Sequence, residues 1–305
     1  MSTMTTTEAP ETTTTETETA NSGTFQNCPT FHALSIPQKL LRNALRIVNA
    51  ARDDRNALFQ NTMSAVQIVI RPERVTIGAT DARRLHLVEF SADNREALET
   101  MADSEECEIP EFSGASMSFS VLVPWEAAQK LAEVFDVSAA VRIEARRADC
   151  ETFCRFEYTD GRKKRRAVEF QAAAGRYPRF SQVLDNLPEF TSWIEAPAGF
   201  LADMLRPVQN VFLSIGENIS AGFSRDLKQE YRRAFRPAPG KLAEGFRSSG
   251  KVEIELNGKL PSEFLDLLPE KQPVRAEFSA PNKPAQFSAT YDGLTVRALV
   301  MPLHG

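Results

Sequence analysis

At 305 residues the chain is long enough for about two domains of ordinary size. A formal charge of -5 excludes a generally basic nucleic-acid coat, yet 36 Lys and Arg leave room for a local basic stripe. Four cysteines (Cys28, Cys107, Cys150 and Cys154) and three scattered histidines (His32, His86 and His304) offer no metal-ligand spacing. No metal or cofactor is therefore expected, and the thiols are read as reduced, as in the cytoplasm.

Residues 1–24 are almost entirely Thr, Glu and other polar residues, too poor in apolar surface to offset the entropy of ordering, so a disordered tail is expected. The first basic residue is Lys39, so no secretory leader is expected. No run approaches the ~18 apolar residues of a membrane span, and the expected location is cytoplasmic.

The ordered part opens with a strand-like "TFHALSI". A helix follows in "PQKLLRNALRIVNAAR", with Ser35 as the expected N-cap and Pro37 in the first turn. Leu40, Leu41, Ala44, Leu45, Ile47 and Val48 form its apolar face, and Lys39, Arg42 and Arg46 form a basic stripe on the other. Such a stripe suits either ordinary solvation or a phosphate backbone. "SAVQIVIRPERVTIGATDARRLHLVEF" reads as a meander of three alternating strands, and the acidic stretch 91–116 as an insertion.

The plan then repeats. "MSFSVLV" is a strand, "PWEAAQKLAEVFD" a helix opened by proline, and "VRIEARR" and "CRFEYTDGRKKRRAVEFQAA" are strands. Asp160-Gly161 signals a hairpin, with "RKKRR" (162–166) as exposed basic strand residues or a nucleic-acid patch. The last third repeats the theme with "TSWIEA", a helix in "PAGFLADMLRPVQNVF" kinked or cut at Pro207, "KVEIELNGK", a short helix in "LPSEFLDLL", and three final strands. Element order thus suggests an α+β fold with two copies of one plan. No structure is assigned to 216–241, where Arg225, Lys228, Arg232 and Arg236 stand at helical spacing.

Three segments resemble the bacterial sliding clamp, the β subunit of the replicative DNA polymerase. "ATDARRLHL" (79–87) is similar to that family's middle-domain "ATDGHRLAL", and "GRYPRFSQVL" (175–184) to its "GRFPDYRRVL". "LNGKLPSEFLDLL", "VRAEFSAPNKPAQF" and the terminal "VMPL" resemble its last domain. Ala82 stands for the motif glycine, Arg83 for the histidine and Gln182 for a usual arginine. The resemblance implies two tandem clamp domains, 25–187 and 188–305, each with helices packed on antiparallel sheets, and no counterpart of the family's first domain.

It also implies a function. Clamps encircle double-stranded DNA without reading its sequence and tether DNA polymerases and clamp-loader-type proteins through short peptides of Gln-Leu-x-Leu-Phe type. The implied peptide groove takes Met63, Thr80, Ala82, Arg83, Arg84 and Leu85 from the first motif and its surroundings. Pro178, Gln182 and Val183 come from the second, and Leu299, Val300, Met301, Pro302 and Leu303 from the chain end. The implied DNA-facing cations are Lys39, Arg42, Arg46, Arg52, Arg55 and Arg206. Clamps do no chemistry, and no phosphate-binding loop or nucleophile elbow is legible, so an enzyme is not expected. Rings of this family close with six domains, so two per chain imply a homotrimer. The alternatives are a clamp-derived adaptor that forms no ring, and a DNA-binding regulator that uses "RKKRR" and the basic helix.

Overall fold

A β-α-β-β-β unit recurs along the chain. The computed structural model describes residues 34–52, 63–93, 119–135, 140–148, 151–206, 210–215, 220–223 and 247–303. The first unit is β1 (Leu34–Pro37), α1 (Gln38–Asn49), β2 (Val66–Arg71), β3 (Arg74–Thr80) and β4 (Arg84–Ser91). The second is β5 (Phe119–Val123), α2 (Trp125–Val134), β6 (Ala140–Ala148), β7 (Glu151–Thr159) and β8 (Arg165–Gln171). A short helix, α3 (Phe180–Asp185), follows. The third unit shows β9 (Ser192–Pro197), α4 (Ala198–Leu205), β10 (Asn210–Ile215) and β11 (Ser220–Phe223), with a three-residue β12 (Arg247–Ser249) after it. The fourth is β13 (Val252–Asn257), α5 (Lys259–Leu265), β14 (Pro273–Phe278), β15 (Ala285–Tyr291) and β16 (Leu294–Val300).

Each unit lends its first strand to the meander of its neighbour. β1 pairs with β6 and β5 with β2; β9 pairs with β14 and β13 with β10, all antiparallel. Three sheets result among the described residues: β1-β6-β7-β8, β11-β10-β13, and the nine-stranded β12-β9-β14-β15-β16-β4-β3-β2-β5. The long sheet exists because β4 and β16, the last strands of the first and fourth units, pair from Thr295↔Glu89 to Val300↔Arg84. This seam joins the two halves of the chain, and one contiguous apolar core runs beneath both.

Helix α1 packs against α2, and α4 against α5, in a layer on one side of the sheets. The apolar stripe of α1 is buried as its periodicity predicts, with Leu41, Ala44, Leu45 and Val48 fully covered. Its start differs from expectation. Ser35 lies in β1 opposite Arg142, and Pro37 is the N-cap with no side-chain cap, because the chain leaves a paired strand directly into the helix. Pro124 and Pro197 occupy the same place before α2 and α4, where a fixed φ suits the strand-to-helix bend. The helix expected to be kinked or cut at Pro207 ends at Leu205, and Asn210–Phe212, read with it, belong to β10. The insertion at 91–116 lies mostly outside the described residues, as do Arg225, Lys228, Arg232 and Arg236.

An aspartate opens the turn between the last two strands in three units: Asp81, Asp160 and Asp292. Asp292-Gly293 closes β15–β16 as a two-residue turn with both φ positive (52° and 80°), the primed geometry that suits twisted strands. The Asp160-Gly161 hairpin forms, but with a longer turn in which Lys163 is the left-handed residue (φ 60°). Arg162, Lys163 and Lys164 are exposed in that turn, and Arg165 and Arg166 begin β8.

Candidate groove over the seam

The "TDARR" turn is built by its own polar atoms. Asp81 Oδ1 accepts the N–H groups of Arg83 (3.0 Å) and Arg84 (2.9 Å). Thr80 Oγ1 donates to Arg84 O (2.6 Å) and accepts from Ala82 N (3.1 Å). Ala82 takes the left-handed conformation (φ 67°) that a glycine would adopt freely, at a cost of about 1–2 kcal/mol for an L side chain. Arg84 spans the seam. Its Nε bonds Asp81 Oδ2 (3.2 Å), and its Nη1 bonds Glu263 on α5.

The end of the chain is held at both sides of this turn. Met301 N donates to Arg83 O (2.8 Å) and Leu303 N to Glu255 O (3.0 Å), while Pro302 bridges to Leu256 on β13. Backbone pairing thus orders an apolar terminus that side-chain burial alone would leave frayed.

Strand alternation sorts the apolar residues. Ala298 and Val300 face the main core, whereas Leu299 faces the opposite side of the sheet. There Leu85, Leu87, Phe180 and Leu299 form a separate buried cluster, edged by Tyr177, Leu184 and Leu187. The 175–187 segment is fixed on this face by Tyr177, whose hydroxyl accepts from Thr80 N (3.1 Å) and donates to Ala65 O (3.2 Å). Burial pushes the Tyr177 phenol well above its ordinary range, so it remains a donor. Phe180 meets Tyr177 edge-on, with ring centroids 5.6 Å apart.

Three large apolar side chains are exposed among the described residues: Val183 (37%), Met301 (46%) and Leu303 (36%). All three belong to the two segments that border this buried floor. Of the other sequence-derived groove residues, Leu85 and Leu299 are in the floor, and Thr80, Ala82, Arg83 and Arg84 form the turn beside it. Pro178 and Gln182 are exposed on the α3 segment, Pro302 is half-buried in the tail, and Met63 is half-buried two residues before Ala65. Val300 lies on the core side rather than over the floor. Sequence reading missed Leu87, Tyr177, Phe180 and Glu263. The uninterrupted burial of Val75–Thr80 and Leu85–Val88 shows β3 and β4 covered on both faces; in β4 the successive Leu87 and Val88 could have signalled it, whereas β3 alternates with Thr76, Gly78 and Thr80.

The cations fall differently. On α1, Lys39 pairs with Asp292 (2.8 Å), Arg46 is exposed, and Arg42 is half-buried beside Asp160 and Arg166 in a concavity of about 410 Å3. Arg52 stacks over Trp125 at 4.4 Å from the ring centre. Arg206 is tied to Asp203 (3.6 Å) and Asp266, and Arg55 lies outside the described residues. Helix α1 carries no acidic residue, whereas Glu126 and Glu133 flank Lys130 on α2 and Glu263 pairs with Lys259 on α5. Unbalanced positive charge in the helix layer is therefore concentrated on α1. Among the described residues no group of three or more His, Cys, Asp and Glu could hold a metal.

Solved structures that this architecture matches include sliding clamps. The β subunit from DNA polymerase of Streptococcus pyogenes superposes with a TM-score of 0.66 at 17% identity, over 92% of this chain and 68% of that one. The DNA polymerase III β subunit of Thermotoga maritima gives 0.66 at 16% identity, over 97% and 70%. The DNA polymerase sliding clamp of Bacillus subtilis gives 0.61 at 17%, over 90% and 64%. The chain has the sliding-clamp fold. It spans about two thirds of the length of these clamps. No family model matches the sequence, and no curated protein does. The clamp fold accounts for the helix layer, for the sheets closed edge to edge across β4 and β16, and for the internal repetition. No helix among the described residues is long and apolar enough to cross a membrane.

Proposed function

We propose that the chain is a sliding-clamp-like processivity factor. It encircles double-stranded DNA and holds a DNA polymerase or clamp-loader-type partner by a short peptide seated over the seam between domains 25–187 and 188–305. Its action is non-enzymatic and cytoplasmic: tethering raises a partner's effective concentration at DNA. The observation that supports the groove is the placement of Val183, Met301 and Leu303 at the rim of the Leu85–Leu299 floor. Few exposed large apolar residues are available on the described surface, and these border one buried apolar cluster. Methionine at the rim suits partners of differing shape.

The test is a fluorescent peptide of Gln-Leu-x-Leu-Phe type titrated against the chain. Met301→Asp is expected to weaken binding more than about tenfold by placing a charge against an apolar ligand, while leaving the melting temperature unchanged because Met301 is exposed. Equal affinity for the variant would remove the groove from the account.

DNA contact is assigned to α1. Arg46→Ala is expected to lower the slope of log affinity against log salt by about one, and Arg206→Ala to leave it unchanged. Equal effects of the two would contradict an α1-centred surface. The ion pairs of Arg206 and Lys259 favour a second reading, in which the chain is a clamp-derived adaptor that keeps the groove without a ring. In that case neither substitution alters retention on DNA. A ring of six such domains built from this pair takes three copies.

A further inference from the structure

Arg42 departs from the stripe to which its spacing assigns it. Lys39 and Arg46 are exposed, whereas Arg42 is half-buried and lines the concavity of about 410 Å3 between α1, the C-terminal end of α2 and the β7–β8 turn. Its Nε is shielded from solvent yet has no acceptor among the described residues. A donor left unmet in that way is costly, and an anion in the cavity would relieve it. One turn earlier on the same side of α1, Gln38 is fully buried. Its Nε2 reaches Thr159 O at 3.4 Å, and its Oε1 has no donor. Thr159 stands between Tyr158 and Asp160, which both line the cavity. Two unmet polar groups therefore adjoin one wall.

The charges around the cavity do not cancel. Asp160 is consumed by its own turn: Oδ1 accepts the N–H groups of Arg162 and Lys164 (both 2.9 Å), and Oδ2 accepts Arg166 Nε (3.3 Å). That single bond leaves the Nη groups of Arg166 available, and its side chain is 55% exposed. The Tyr158 hydroxyl has no hydrogen-bond partner among the described residues. Burial, against the nearby Arg166 guanidinium, holds that phenol above its ordinary range, so the hydroxyl stays a donor. Two guanidinium groups and a hydroxyl thus offer donors to one oxyanion. Glu133, at the carbonyl end of α2, also lines the cavity and is exposed, with Gln129 Nε2 as its partner at 3.1 Å. It supplies an acceptor that a bare anion would not use and that hydroxyl groups would.

We propose that this cavity binds a small phosphate monoester that carries hydroxyl groups, of the sugar-phosphate or nucleoside-phosphate class. Arg42, Arg166 and Tyr158 hold the phosphate, and Glu133 accepts from the hydroxyls. The volume lies within the roughly 300–1,000 Å3 of small-molecule sites. Arginine suits the phosphate because its planar fork presents paired donors. The site does not depend on the clamp reading: it uses Arg42, withdrawn into the cavity, and leaves Arg46 to the surface of α1.

The test is calorimetric titration of the full chain with ribose 5-phosphate at low ionic strength, with inorganic phosphate and ribose as parallel probes. Ribose 5-phosphate is expected to saturate with a Kd below about 1 mM, inorganic phosphate to bind more weakly, and ribose not to bind. Arg42→Gln is expected to weaken ribose 5-phosphate about tenfold or more, and Tyr158→Phe about threefold or more, with melting curves to verify both folds. Glu133→Gln is expected to weaken ribose 5-phosphate while leaving inorganic phosphate within about twofold. Absence of saturable binding, binding indifferent to Arg42→Gln, or inorganic phosphate binding as tightly as the ester would overturn the site. So would an Arg42→Gln variant whose affinity for duplex DNA loses as much salt dependence as Arg46→Ala, since Arg42 would then belong to the DNA surface. Failure of the peptide groove is read separately, by peptide binding.

Discussion

Acidification from pH 6.5 towards pH 3 is expected to destabilise the chain through His86, with a slope of up to about 1.4 kcal/mol per pH unit. The ring is fully buried in β4 between two helices. Its Nδ1 lies 2.8 Å from Ile47 O at the end of α1, and the ring makes a T-shaped contact with Phe264 of α5, centroids 5.2 Å apart. Burial away from water, and secondarily the Arg84 guanidinium, push its pKa from 6.5 down to about 3 against the opposing Ile47 bond. The folded chain therefore keeps His86 neutral while the unfolded chain takes up a proton. Stability is fully present above pH 6.5 and is lost as the pH falls to about 3. Carboxylates add their own slopes, so the measurement is a comparison. His86→Phe keeps a ring against Phe264 but cannot titrate. Chemical denaturation at several pH values is expected to show the variant less stable at pH 7.5, where it leaves Ile47 O unpaired, with the gap closing by pH 4.5. Parallel curves would mean that His86 is not the acid-sensitive element of this junction.

The second large effect comes from a close approach that only glycine permits. A Cβ at Gly78 would lie 2.4 Å from Phe180 Cζ and 2.6 Å from Cε2, so α3 rests directly on bare β3 backbone. Gly78→Ala is expected to push the ring outward, costing about 1–3 kcal/mol, and to reduce peptide binding because Val183 rides on the displaced helix. Phe180→Ala removes the floor itself, at about 3–5 kcal/mol less relief by local collapse of the surface segment. Combined, the two are expected to be strongly non-additive, since the added methyl group enters space that the ring has vacated. Additive losses would mean that Phe180 is not what Gly78 accommodates.

Much of the architecture was legible because local signals and tertiary structure agree. The proline-opened helices, the strand runs from Val66 to Phe90, and the final hairpin are where periodicity and turn chemistry place them. The α1 cap was misread because Ser35, a good capping residue in isolation, is consumed by pairing with β6. The break at Pro207 was legible, but the stretch after it was misread because Val211 and Phe212 suit either a helix or a strand. For the site, sequence motifs brought together the turn, the α3 segment and the tail. They could not show that alternation turns Val300 away from Leu299, nor that α5 supplies Glu263 to Arg84 across a separation of 179 residues. The repeated aspartate turns were visible in "TDARR", "TDGRKKRR" and "YDG", but their equivalence needs strand order to be meaningful.

The central claim is that the chain is a tether that surrounds DNA. The most direct measurement is retention on a nicked circular plasmid, with the chain concentrated in its presence and then washed at moderate salt. The account predicts retention on the circle, release on linearisation, and co-retention of a labelled groove peptide that is lost with Met301→Asp. Equal retention on circular and linear DNA, or none on either, would contradict it.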